Sequence, residues 1–419
     1  MLARNNLQIP FIIILGIVFT YTLFYANQRF STQNPGGNDF VPRWIGTREF
    51  IQTGASPYSE ETTAKIQEFF YQGPATGDED WQLFIYPFYS MLIFAPFSLV
   101  EEFTLARSLW MTVLEIAIIA TVLISARLMD GKPKLYLIGS LLVFWLVGYH
   151  GARPIINGNA SIIVGLFIIL TLLSIQKGWD KTAGIFLAIS SIKPQVVILL
   201  VPLILIWAVS RKRSGLLISF LLSMIALVGG SMLFQPDWLI QDIIQVLQYP
   251  FYTEPGSPGQ IFLLWWPGVG RQLGIGLTIL VSAVLLWEWA GVWKKGFMWL
   301  FWTACLTLTI TNLIGVRTAT ANFAALIPAT VLIFMAWERR RGDNVKTGGL
   351  AVLIGLMIGL WVLFITTVEI GAGGQPIQSP ILYFPFPFVI LLGLYWVRWW
   401  VVRLPESNNA VHSINRLRQ

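Results

Sequence analysis

The run TAGIFLAISSIKPQVVILLVPLILIWAV, residues 182–209, carries a single charged side chain, Lys193, followed at once by Pro194. Roughly 20 apolar residues span a bilayer core, so a run of this length with one charge belongs in a membrane. Ser190, Ser191 and Gln195 flank the Lys-Pro pair. A lysine at that depth costs a few kcal/mol unless it snorkels or meets an anion, and the proline releases a backbone carbonyl one turn earlier. The run reads either as a helix broken at a functional site or as a half-helix whose lysine reaches the interface.

The rest of the chain repeats the pattern. Of 419 residues 55% are hydrophobic and 12% charged, half of the quarter or so that keeps a soluble surface wet. Mean hydropathy is +0.67. Further apolar runs lie at 10–25, 83–100, 104–126, 135–150, 159–176, 214–234, 272–292, 297–316, 319–337, 349–368 and 381–400. The expectation is an all-α polytopic membrane protein, a bundle of about twelve transmembrane helices forming a single membrane domain over 1–419. A cytosolic enzyme, disorder, a coiled coil and a zinc scaffold are excluded. The first run follows a lone Arg4 and ends in Phe24-Tyr25-Ala26 without a small-x-small cleavage site, so it reads as a retained helix. Cys305 is the one cysteine, which removes disulfides and cysteine metal sites. The net charge of +7 sits in short clusters between apolar runs, as in cytoplasmic loops, and does not point to nucleic acid.

Those clusters set the orientation. Arg211-Lys212-Arg213, Lys294-Lys295, Arg339-Arg340-Arg341, and Arg398 with Arg403 read as cytoplasmic. They leave a first external loop at 28–82, a second at 235–271, and a short one near 369–380. Arg127, Lys132 and Lys134, then Lys177 and Lys181, fall outside if every early run crosses. A re-entrant 83–100 segment bent at Pro87 and Pro96, with a hairpin broken at Pro194, brings both inside. The sequence leaves both topologies open.

Polar residues then stand out against the apolar background. In the first loop Asn34-Pro-Gly-Gly-Asn-Asp39 precedes an amphipathic pattern of Phe40, Trp44, Ile45, Phe50 and Ile51, so Asp39 reads as a helix cap or as a reactive carboxylate. Asp78-Glu79-Asp80 reads as a solvated acidic turn, and no metal is expected there. His150, Arg153, Asn157, Asn159 and Ser161 fill a short break between apolar runs, either as an ordinary polar loop or as a holder of phosphate or sugar hydroxyls. Asn312, Arg317, Thr318 and Asn322 occupy a tight external turn, and Glu115 stands alone on its helix, with Arg107 two turns earlier as a possible partner.

In order along the chain, Asp39-Phe40 with Trp44, Gly54 to Tyr58, Tyr86-Pro87, Pro96, Arg107 with Trp110, Asn157-Gly158-Asn159, and Ala188 to Lys193-Pro194 together resemble glycosyltransferase family 87. The resemblance covers about the first half of the chain. Phe88 stands where the family usually has a second proline, Gly-Gln-x-Asn is reduced to Gly158-Asn159, and Asn322 precedes Leu326-Ile-Pro328 where many members have a histidine.

The resemblance implies a GT-C fold with external helices in the first loop. It implies transfer of a hexose or pentose, mannose among them, from a polyprenyl phosphate to a hydroxyl of a glycolipid or glycan. Transfer would proceed with inversion at the outer face of a plasma membrane, with no cofactor. Asp39 would be the general base, and Lys193, Arg317 and Arg153 the ligands of the carrier phosphate. Trp44, Tyr58, Tyr86, Asn157, Asn159 and Asn322 would line the donor and acceptor sites, although an interfacial aromatic belt also accounts for Trp44, Tyr58 and Tyr86. The second loop, with Trp238 and Trp265-Trp266-Pro267, reads as a lid over the acceptor or as an interfacial helix with its connector. A prokaryotic source fits the lack of an ER retention signal. Two other classes fit the same helices: a lipid or solute transporter, and a catalytically silent membrane scaffold.

Overall fold

The computed structural model of the chain describes residues 3–77, 79–129, 133–252, 256, 258–314, 319–342, 345–370 and 376–403. Among these, the only strands are the two-residue pair Glu369–Ile370 and Pro376–Ile377. Seven described helices are long and apolar enough to cross a membrane: Pro10–Gln33, Phe103–Leu128, Ser214–Phe234, Gly270–Val292, Thr320–Arg341, Lys346–Thr367 and Pro380–Val402. Leu135–Val147 and Tyr149–Asn157, bent by 47°, make an eighth when taken as one span. Phe88–Ser98, Ser161–Lys177, Leu200–Ser210 and Phe297–Thr311 are shorter apolar helices. The chain is an all-α polytopic membrane protein in which each of the twelve apolar runs contains helix among its described residues, though not all of crossing length.

Burial separates centre from rim. Thr320–Arg341 is 89% buried over its apolar window, whereas Pro10–Gln33 is 6% buried and turns Phe11, Ile12 and Ile17 outward. An apolar surface of that extent is stable against acyl chains and not against water. The outer helix is tied inward by Asn27, whose Nδ2 donates to Glu115 Oε2 at 2.8 Å and to Thr112 Oγ1 at 3.0 Å. Glu115 therefore pairs with Asn27 and not with Arg107, whose guanidinium turns to main-chain carbonyls instead.

The run 182–209 is not one helix. Asp180–Ile189 passes into a tight turn, Ser190–Ile192, and two short helices, Pro194–Val197 and Leu200–Ser210, follow. Lys193 at the break has φ −132° and ψ 81°, the extended backbone that a following proline imposes. The run thus doubles back, and the basic clusters confirm it by their contacts. Arg213 pairs with Asp180, Gln176 Nε2 donates to Leu128 O at 3.1 Å, Arg211 Nη1 donates to Lys294 O at 3.1 Å, and Lys134 lies 3.6 Å from Glu338. The segments around 128–134 and 176–181, which a fully crossing topology would send to the far side, share one end with 211–213, 294–295 and 339–341. That is the arrangement in which 182–209 is a broken hairpin and Phe88–Ser98 is too short to cross.

Of the two helices in segment 28–82, Glu60–Tyr71 is two-faced and capped by Ser59, whose Oγ accepts from Thr62 N at 3.2 Å. Val41–Thr53 differs from the amphipathic pattern expected of it. Every residue from Val41 to Thr47 is buried, because the helix packs into the protein beneath Met91–Ser98.

Candidate active site

The end of the bundle opposite the basic clusters holds a cavity of about 750 Å³. Its wall is built around the helix Tyr149–Asn157. His150, Arg153 and Asn157 lie three and four residues apart on it, so they share one helical face, and all three line the cavity. The helix ends at Gly158, whose φ of 73° suits a residue without a side chain; a Cβ there would stand 2.5 Å from Phe40 Cβ.

The last carbonyls of that helix, which have no intrahelical donors, are capped by the segment carrying Asp39. Ile156 O accepts from Gly37 N and from Arg107 Nη2, both at 3.2 Å. Asn157 O accepts from Asp39 N at 3.0 Å and Phe40 N at 3.1 Å. Arg107 Nη1 also donates to Asn34 O at 2.8 Å, and Trp110 Nε1 to Gly158 O at 2.8 Å, with the Trp110 ring stacked on Phe40. Asp39 is held by its main chain alone. Helix Val41–Thr53 begins at Phe40 with no side-chain cap, so the carboxylate is not spent as a helix cap and lines the cavity.

Around Asp39 stand Arg43 and Asp80, both on the cavity wall. The Arg43 guanidinium lies 4.2 Å from the centre of the Tyr86 ring, and its Nε has no hydrogen-bond partner. Asp80 Oδ1 accepts from Gln82 N at 2.9 Å. Burial pushes the Asp80 carboxyl above its ordinary value, while the Gln82 N–H and the Arg43 charge pull it back and Asp39 adds to the rise. Glu79 turns away to hold Thr76, and Asp78 lies outside the described residues. Neither Arg43 nor Asp80 stood out as a site residue in the sequence.

Lys193 lies one layer behind this wall. It is buried, and its Nζ donates to Asn159 Oδ1 at 2.8 Å and Ser161 Oγ at 2.9 Å. Asn159 Oδ1 also accepts from Ser161 N, and Ser161 Oγ donates to Asn322 Oδ1 at 2.6 Å. This chain of bonds brings together Lys193, Asn159 and Asn322, three of the residues singled out in the sequence. Lys193 still feels Asp39 and Arg43 electrostatically.

The aromatic candidates sit elsewhere. Trp44 Nε1 donates to Val100 O, Tyr58 Oη donates to Tyr86 O at 2.6 Å, and Tyr86 carries Arg43 on its face; all three are buried in the wall and none lines the cavity. The rings on the cavity surface are those of Phe69, Phe70, Phe103, Tyr149 and Tyr249. Arg317 lies outside the described residues.

Tyr249 comes from Trp238–Tyr252, a helix whose polar residues face the protein. Ser56 Oγ donates to Gln241 Oε1 at 2.7 Å, Ile85 N to Gln245 Oε1 at 3.1 Å, and Gln245 Nε2 to Tyr58 O at 3.3 Å. Its other face exposes Ile240, Ile243, Ile244 and Leu247.

A model of glycosyltransferase family 87 matches residues 84–294, half of the chain. The chain belongs to glycosyltransferase family 87. This family 87 member is thus a membrane glycosyltransferase. The matched stretch contains Tyr86, Arg153, Asn157, Asn159 and Lys193, whereas Asp39, Trp44, Tyr58 and Asn322 fall outside it. No curated protein and no solved structure matches the chain.

Proposed function

We propose that this family 87 protein transfers a sugar from a polyprenyl-phosphate donor to a hydroxyl of a glycolipid or glycan. The reaction inverts the anomeric centre and takes place at the outer face of a plasma membrane. One observation carries the reading: Asp39, fixed by its main chain and free at its carboxylate, lines a polar cavity together with Arg153 at the end of the bundle away from the basic clusters. Basic ends face the cytoplasm, which puts the cavity outside.

In the proposed reaction the acceptor oxygen attacks the anomeric carbon while Asp39 takes its proton. The bond from that carbon to the phosphate oxygen breaks, and its electron pair leaves with the polyprenyl phosphate. Arg153 meets the phosphate from the cavity wall, and Arg317 keeps its sequence-level assignment to the same group. Lys193, with two of its three protons held by Asn159 and Ser161, contributes its positive field from behind the wall. Asn157 lines the cavity, Asn159 holds Lys193 behind it, and Asn322 holds Ser161 in place. Helix Trp238–Tyr252 lies in the membrane interface, its apolar face in lipid and Tyr249 over the cavity.

The test is transfer by the purified protein from a polyprenyl-phosphate sugar to an added glycolipid. Asp39→Asn is expected to lower turnover by about 10²–10⁴-fold with unchanged yield and melting temperature. Full activity in that variant sinks the assignment.

A further inference from the structure

His150 is 2% exposed, lines the cavity, and has no hydrogen-bond partner on either ring nitrogen, although the main chain of Thr320 lies beside it. Buried polar atoms are almost always paired, so an imidazole at a cavity wall with no side-chain partner on either nitrogen, and only the Thr320 main chain beside it, is placed to take a ligand. The ring is fixed for such a task. It packs against Tyr149, Phe323 and Phe386 with centroids 5.1, 4.9 and 4.8 Å away. Nearby, Gln378 Oε1 accepts from Tyr149 Oη at 2.8 Å and from Thr320 Oγ1 at 2.5 Å, which turns the Gln378 amide so that its NH₂ donors are left over. Arg153 stands one turn along the helix from His150, and Gln378 is also on the cavity wall.

This end of the cavity therefore presents donors and no carboxylate, while Asp39 and Asp80, with Arg43 beside them, stand at the other. The separation suits the chemistry. From His150 to Asn157, whose carbonyl holds Asp39 N, the helix rises about 10 Å. An in-line displacement needs a similar span: from base to acceptor oxygen, to the anomeric carbon, to the leaving oxygen, and on to a donor on the phosphate, about 10 Å.

We propose that His150, with Arg153 and the Gln378 amide, forms the subsite for the carrier's phosphate monoester, the neutral imidazole donating one N–H to a phosphate oxygen. The proposal rests on the donor class given above. It adds a ligand that is replaceable without removing a charge.

The probe is farnesyl phosphate, with farnesol as the uncharged control, binding to the purified full-length chain in detergent. Wild-type protein should bind farnesyl phosphate in preference to farnesol. His150→Leu should weaken farnesyl phosphate by about tenfold and leave farnesol unchanged, and His150→Gln, which keeps an N–H, should retain most of the affinity. The leucine variant should melt no lower than wild type, since an apolar side chain replaces an unpaired imidazole; the glutamine variant guards against a failure to fold. Equal binding of farnesyl phosphate by wild type and His150→Leu overturns this inference alone. No preference for the phosphate in wild type overturns the donor class and the subsite with it.

Discussion

The main-chain N–H of Asp39 donates to the carbonyl oxygen of Asn157 at 3.0 Å, joining the start of the chain's first long polar segment to the end of a helix more than a hundred residues later. The carboxylate position is therefore set by backbone hydrogen bonds, and changes in the backbone at this junction should act on catalysis at a distance from the carboxylate itself.

Gly158→Ala is the sharpest such change. The substitution forces an L side chain into φ 73° and drives its Cβ to 2.5 Å from Phe40. We expect a loss of about 2–4 kcal/mol, read as a lowered melting temperature, and a fall in kcat greater than the rise in KM. An alanine variant with wild-type kcat would show that the junction does not position the base.

Arg43 shares the cavity wall with two carboxylates, Asp39 and Asp80, and its charge lowers the Asp80 carboxyl where Asp39 raises it. Replacement by Gln removes the charge that opposes the repulsion of Asp80 by Asp39, and Lys cannot spread over the Tyr86 ring as Arg does. Turnover should fall by about tenfold or more in Arg43→Gln, with partial recovery in Arg43→Lys. The check is steady-state transfer by variants of matched thermal stability.

Tyr58 and Tyr249 should separate structure from recognition. Tyr58→Phe removes the bond to Tyr86 O inside the wall, costing about 1 kcal/mol of stability with KM unchanged. Tyr249→Ala takes a ring from the cavity surface and should raise the acceptor KM. A KM effect from Tyr58→Phe would mean that the wall moves during binding.

Helix Trp238–Tyr252 should hold more tightly in acid. Burial raises the carboxyl of Asp242 to about 7, and Tyr58 and Tyr89 are the titratable groups close enough to feel it. With the pKa higher in the docked state than in the free helix, docking is strongest below the ordinary carboxylate range. It weakens as pH rises to about 7, by at most about tenfold per pH unit, and then levels off. Protection from hydrogen exchange across 238–252, taken relative to the intrinsic amide rate at each pH, should fall over that window in wild type and stay level in Asp242→Asn.

How far these features were legible in the sequence depends on the interaction behind each. Hydropathy is a local property, so the twelve apolar runs could be read directly, and Lys193-Pro194 announced its own break because proline constrains the residue before it. The end at which Lys134 and Lys181 lie could not be chosen until Lys134 met Glu338 and Asp180, next to Lys181, met Arg213. Tyr58 and Tyr86 stand in stretches without helical or strand period, and Trp44 lies on a helix buried all round at its start, so nothing local tells which way these rings point. Arg43, between Pro42 and Trp44, has the look of an interfacial anchor; its role follows from Tyr86, brought to it by the fold. Asp80 was hidden in a run of three acids, of which the structure sends Glu79 one way and Asp80 another.

Phe88–Ser98, three residues of tight turn followed by eight of α-helix, is about 16 Å long, roughly half the depth of a bilayer's hydrocarbon. Leu92 on it and Leu99 just beyond its end point outward. So short a wall in contact with acyl chains creates hydrophobic mismatch on that flank, which thinning of the leaflet relieves. The headgroup plane should dip beside Tyr86, lowering neighbouring phosphates toward the chamber, and host membranes of different thickness should change how readily a long-chain lipid is loaded.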